Sequence, residues 1–181
     1  MGLARKAWTT RWSFWAIMAL GAFALTFTGV LLSPFRIGID VARLLGRESC
    51  LPSLVYIIDY RPNRYRLERW SYPVFSFPRT EQWDRHRWGP PPGAKAIKRA
   101  AAIPGDRVKI EGTELYINFV HRDRLWLAKS IPNKDVGDFD AEYIIPQGMF
   151  FAYGTEKGSF DSRYFGPLPV DAIVGYARPV F

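Results

Sequence analysis

Three short segments carry residues whose types and spacing suit acyl-transfer chemistry. The first is Ser49-Cys50-Leu51-Pro52, just ahead of the β-forming run Leu54-Val55-Tyr56-Ile57-Ile58. A serine hydroxyl is a weak nucleophile and needs a base within hydrogen-bond reach. Taken alone, a serine in front of a strand is more often a turn former. The second segment is Ile97-Lys98-Arg99-Ala100-Ala101-Ala102-Ile103-Pro104-Gly105-Asp106, in which Lys98 interrupts an apolar stretch. On an exposed edge strand a lysine guards against aggregation. A lysine that faces an apolar pocket instead gives up its charge more readily and can take a proton from a serine. The third segment is Ser159-Phe160-Asp161-Ser162-Arg163. Its hydroxyls, carboxylate and guanidinium can close into a hydrogen-bonded loop around an Asp161–Arg163 pair. Such a loop can also orient a base from behind, as the third member of a catalytic triad does.

These segments need a rigid scaffold, and the composition points to strands. Aromatic residues make up 16% of the 181 residues, and flat rings pack well on pleated surfaces. Short β-forming runs are expected at residues 54–58, near 70–77, on either side of the Pro104-Gly105-Asp106 turn, at 114–119, 126–129 and 173–180, while 143–153 is apolar but alternates poorly and contains Pro146 and Gly148. Residues 135–140 and 155–163 are expected as loop and polar turn. Ile37, Val41, Leu44 and Leu45 have helical spacing, so residues 34–48 are expected to form a short amphipathic approach to Ser49. The expected domain is mostly β.

No residue between Arg11 and Arg36 is charged. About 20 apolar residues suffice to cross a bilayer as a helix, so a single N-terminal transmembrane helix is expected at residues 12–33. Trp12 and Trp15 would sit in an interfacial belt, and Ser33-Pro34 would end the helix. Arg5, Lys6 and Arg11 place residues 1–11 in the cytoplasm by the positive-inside rule. Residues 34–181 are then expected in the periplasm, outside the inner membrane. The apolar run exceeds an ordinary signal-peptide core and lacks a clean small-x-small end, so a retained anchor is favoured over a cleaved signal.

The formal net charge of +8 suits anionic lipid or nucleic acid. Export across a membrane and the lack of a nucleic-acid-binding motif argue against the latter. The basic, Trp-rich stretch from Trp70 to Trp88 is expected to touch anionic lipid or to form a solvated loop. Cys50, the only cysteine, cannot form an internal disulfide, and His86 and His121 lack metal-ligand spacing. No metal or other cofactor is expected.

In this order, behind one N-terminal anchor, the three segments resemble the boxes of bacterial type I signal peptidases. The Ser-Met-x-Pro box of that family reads Ser49-Cys50-Leu51-Pro52 here. The Lys-Arg strand leading to Pro-Gly-Asp reads Lys98-Arg99 with Pro104-Gly105-Asp106, and the Ser-x-Asp-Ser-Arg box with its glycine reads Ser159 to Arg163 with Gly166. The resemblance implies a signal-peptidase-like all-β catalytic domain with Ser49 as nucleophile, Lys98 as general base, and Ser159, Asp161 and Arg163 in support. It implies an exported precursor as substrate, cut beside small residues. The last box and the closing Arg178-Pro179-Val180 are similar to TraF-type peptidases of conjugative transfer, which mature pilins and in some cases join the pilin's ends. Two departures stand out. Arg47 occupies the place of a hydroxyl residue that binds the oxyanion in the family, and Gly154-Thr155-Glu156-Lys157-Gly158 replaces the usual opening of the last box. A general signal peptidase and an inactive anchored scaffold are the alternative readings.

Overall fold

In the computed structural model of the chain, residues 3–77 and 90–180 are described. The chain divides into two compact units, Met1–Pro34 and Phe35–Phe181.

The first unit is one helix, α1 (Leu3–Leu32). Large apolar side chains from Phe14 to Val30 stand exposed all around it. Thr26 and Thr28 fold their hydroxyls back onto backbone carbonyls within the same helix. Among the described residues no helix is long and apolar enough to cross a membrane. The crossing expected at residues 12–33 is therefore not supported by the structure. The side chains of Arg5, Lys6, Arg11 and Trp12 lie outside the described residues, as does most of the Trp-rich stretch, residues 78–89, including His86.

The second unit is built from antiparallel strands. One sheet has the order β1 (Phe35–Ile39), β2 (Val55–Asp59), β12 (Ile173–Pro179), β3 (Tyr72–Ser76), β4 (Lys95–Ile97). A second places β10 (Met149–Tyr153) between β11 (Leu168–Pro169) and β5 (Arg99–Ala102). A third has the order β8 (Val120–Arg124), β7 (Glu114–Ile117), β6 (Arg107–Glu111), β9 (Ala141–Ile144).

Strands β5 and β10 separate two apolar cores. Ala101, Ala102, Phe151 and Tyr153 face one core with Val108, Leu115 and Ile117. Ala100, Phe150 and Ala152 face the other with Phe75, Leu168 and Ile173. Side chains alternate faces along β10, a register shift in β5 lets both Ala101 and Ala102 face the first core, and a strand covered on both sides must be apolar on both. The alanine run Ala100–Ala102 meets that demand with small side chains, so the aromatic rings of β10 and β3 can close over it. A third cluster packs Leu51, Tyr56 and Ile58 against Val74 and Ala177.

Several expected elements shift. Residues 35–39 pair with β2 in register from Phe35↔Asp59 to Ile39↔Val55. The amphipathic approach to Ser49 is thus an edge strand followed by one helical turn, α2 (Val41–Leu44). Residues 126–129 form no strand; a 3₁₀ turn covers Ala128–Ser130, and the pairing strand is Val120–Arg124. The run 143–153 splits at Pro146 and Gly148 into the ends of β9 and β10. Within the expected polar turn, Ser162–Phe165 form one helical turn, α3.

The Pro104-Gly105-Asp106 turn joins β5 to β6, with Gly105 at φ +90°, a conformation that glycine reaches without steric cost. Asp106 is buried and accepts from Arg69 Nε and Nη2, Asn118 Nδ2 and the Ile103 N–H. Burial alone would push its carboxyl up, but these donors hold it at about 2. A folded-state pKa below the ordinary value of about 3.9 stabilises the fold above that pH and loses its effect as pH falls toward the folded value. Asp106→Asn is expected to cost about 1–3 kcal/mol at pH 7. Thermal melts should show the gap from wild type closing as the pH falls through 4 to 2; a gap independent of pH would contradict this account.

Candidate active site

Backbone register brings the three segments together. Arg99 pairs with Tyr153 across β5 and β10, so the residues just beyond the pair, Lys98 and Gly154, face each other at the end of the ladder. Lys98 sits where the chain passes from β4, in the five-stranded sheet, to β5, in the three-stranded one. That change of sheet explains how a lysine in an apolar run becomes buried, at 2% exposure. Its neighbours Ile97 and Arg99 continue the two ladders while its own side chain turns inward.

Lys98 Nζ donates to Ser159 Oγ at 2.6 Å. Ser159 Oγ in turn donates to Asp161 Oδ2 at 2.8 Å. Asp161 also accepts from the Gly154 N–H, the Arg163 N–H, and Arg163 Nε and Nη2. It caps α3 and is fully buried. Arg163 reaches further, to Asp123 Oδ2 at 2.6 Å and to the carbonyls of Arg124 and Gly154. Burial would favour a neutral Arg163, but the carboxylates of Asp161 and Asp123 outweigh it and raise its pKa above the ordinary arginine value. Tyr164 packs beside this network and accepts from the Leu127 N–H; burial pushes its hydroxyl up to about 12.

Gly154 explains how the loop after β10 approaches the others. A Cβ there would lie 2.0 Å from Ser159 Oγ and 2.7 Å from the Cys50 carbonyl oxygen. Only a residue without a side chain lets the third segment lie against both the first and the second. The Glu156 N–H donates to the same Cys50 carbonyl, and Glu156 pairs with Arg43 of α2 at 3.5 Å.

Ser49 is 7% exposed and is anchored by Leu51, which is buried in the third core cluster. Ser49 and Lys98 line one cavity of about 350 Å³, together with Ile39, Asp40, Tyr56 and Ile97. No hydrogen bond joins the two among the described residues. The Ser49 hydroxyl donates to Asp40 Oδ2, with the Leu51 carbonyl 3.1 Å away as a second acceptor. Arg47 is exposed, and its backbone N–H donates to Ala42 O.

The structure thus gathers Lys98, Ser159, Asp161 and Arg163 into one hydrogen-bonded chain and sets Ser49 in the same cavity. Sequence reasoning missed Asp40, Asp123 and Gly154. Asp40 directly precedes a helical turn, which is an N-cap signal, but its contact with Ser49 spans a loop that no periodicity reveals.

Comparison with known proteins places the chain. The family description "Signal peptidase, peptidase S26" matches residues 9–181. The conjugal transfer protein TraF of Agrobacterium tumefaciens (strain 15955) is 34% identical over 97 residues, 49% of each chain. Signal peptidase I of Bacillus caldolyticus is 33% identical over 89 residues, 44% of this chain and 49% of its own. A solved signal peptidase I from Enterococcus faecalis V583 aligns at 25% identity and a TM-score of 0.38, over 62% of this chain and 97% of that one. The matched stretches span about half the length of these curated relatives. With nearly its whole length matched by that description, this chain belongs to the peptidase S26 family of signal peptidases.

Proposed function

We propose that the chain is a serine endopeptidase that cuts a leader from an exported precursor, with Ser49 as nucleophile and Lys98 as general base. One observation carries the reading: a serine and a buried lysine share a cavity, and the lysine is fixed from behind by Ser159 and Asp161. Ser49 Oγ attacks the scissile carbonyl as its proton passes to Lys98. The C–N bond breaks, Lys98 protonates the leaving amine, and an acyl group remains on Ser49. Water, activated by the same lysine, then releases the carboxylate product. Backbone N–H groups near Ser49 hold the oxyanion, since Arg47 offers no hydroxyl there. Asp161 is the third member of the site, acting through Ser159, and Arg163 holds Asp161.

The conjugal transfer relatives and the form of the last box support a pilin precursor as substrate, with ring closure as a further outcome when the substrate's own amine replaces water. The signal peptidase I relatives support a broader set of exported precursors as the second reading. The uncharged stretch 12–35, with Arg5, Lys6 and Arg11 ahead of it, supports an N-terminal anchor in the inner membrane, with residues 34–181 in the periplasm. Mass spectrometry of exported precursors, the pilin included, from cells with wild-type or Ser49→Ala protein tests the function. Trimming that disappears with Ser49→Ala is the expected result, and a further loss of one water from the trimmed chain reads as ring closure. Unchanged trimming would leave an inactive scaffold.

A further inference from the structure

The contact between Ser49 and Asp40 has no role in the reaction just proposed, and it competes with that reaction. A hydroxyl has one proton to donate. In this structure the Ser49 proton goes to the Asp40 carboxylate, while Lys98 donates to Ser159. Hydrogen bonds to a charged acceptor are roughly twice as strong as neutral ones. Asp40 is well fixed to hold that proton. Its Oδ1 accepts the Arg43 N–H at 3.0 Å and caps α2, and its own N–H donates to the Leu54 carbonyl at 2.9 Å. Its other oxygen is thereby left aimed at Ser49 across the cavity that both residues line.

We propose that Asp40 is a positioning residue that holds Ser49 in a resting orientation turned away from Lys98, and that the Ser49 hydroxyl must leave Asp40 before it can attack. The inference rests on the reading of Ser49 as nucleophile and Lys98 as base. In this account Asp40 sets what fraction of the free protein is ready to react. An apparent rate constant is reduced by the fraction of the molecule that is not competent.

The test uses the full chain in detergent micelles and an internally quenched peptide with alanine on both sides of the cut. Asp40→Asn keeps an N-cap of nearly equal quality but replaces a charged acceptor with a neutral one. It is expected to raise kcat/KM about 10-fold. Asp40→Ser also caps a helix, removes the carboxylate altogether, and is expected to give a similar gain. Thermal melts within about two degrees of wild type would show that the cap survives. If Asp40 only builds the fold, or assists the reaction directly, both variants lower kcat/KM or leave it unchanged, and either result overturns the proposal. Ser49→Ala is measured alongside. Residual cleavage by Ser49→Ala would sink the assignment of the nucleophile itself, an outcome distinct from failure of the Asp40 variants.

Discussion

Lys98→Met is expected to cut turnover of a quenched alanine peptide by about 10⁴-fold or more while leaving the fold intact. Lys98 is among the most deeply buried large side chains of the domain. Among the described residues its amine has one hydrogen-bond partner, Ser159 Oγ. Methionine fills nearly the same volume without a polar end, and burying an apolar chain costs less than burying a polar group. The Ser159 hydroxyl keeps its bond to Asp161, so no polar atom behind the lysine loses its acceptor. Melting should therefore stay within a few degrees of wild type while the proposed proton acceptor for Ser49 is lost. A fall in kcat/KM of less than 10-fold would mean that another group takes the proton.

Arg163→Met is expected to act in the opposite way, through stability before chemistry. The Arg163 guanidinium is fully buried and bridges Asp161, Asp123 and two backbone carbonyls. Removing one partner of a buried ion pair leaves an uncompensated charge and costs about 3–5 kcal/mol. Here two carboxylates lose their partner together. For a domain of this size about 3–5 kcal/mol corresponds to a drop of about 10 °C in melting temperature. Arg163→Lys should recover little of it, because an ammonium cannot reproduce the forked contacts of a guanidinium. A melt lowered by less than about two degrees would contradict the buried network as drawn.

The segments holding Ser49, Lys98 and Ser159–Arg163 stood out by their order and their resemblance to signal-peptidase boxes, and the structure links Lys98, Ser159, Asp161 and Arg163 by hydrogen bonds with Ser49 in the same cavity. The β character of residues 55–59, 72–76 and 173–179 was legible from dense β-forming runs. Residues 34–48 misled, because Ile37, Val41, Leu44 and Leu45 fit helical spacing although 35–39 is a strand. Its partner lies some twenty residues along the chain, from Val55 to Asp59, and a pairing of that kind overrides a local period. Strand β8 reads Val-His-Arg-Asp-Arg, polar after its first residue, and is held as a strand by its register with β7. Asp123 within it becomes part of the site only through Arg163, 40 residues away. Asp40 escaped notice for the same reason: its acceptor role toward Ser49 exists only after β1 and β2 have paired. Gly154 carried no sign that its missing Cβ makes room for Ser159.

Intact-mass spectrometry of the full chain during a rapid-quench turnover of the alanine peptide tests whether Ser49 carries the acyl group. A transient mass increase equal to the peptide's acyl half, mapped to the fragment holding Ser49 and absent from Ser49→Ala, is the result predicted here. Peptide cleavage with no such adduct, or an adduct that persists in Ser49→Ala, would contradict the account.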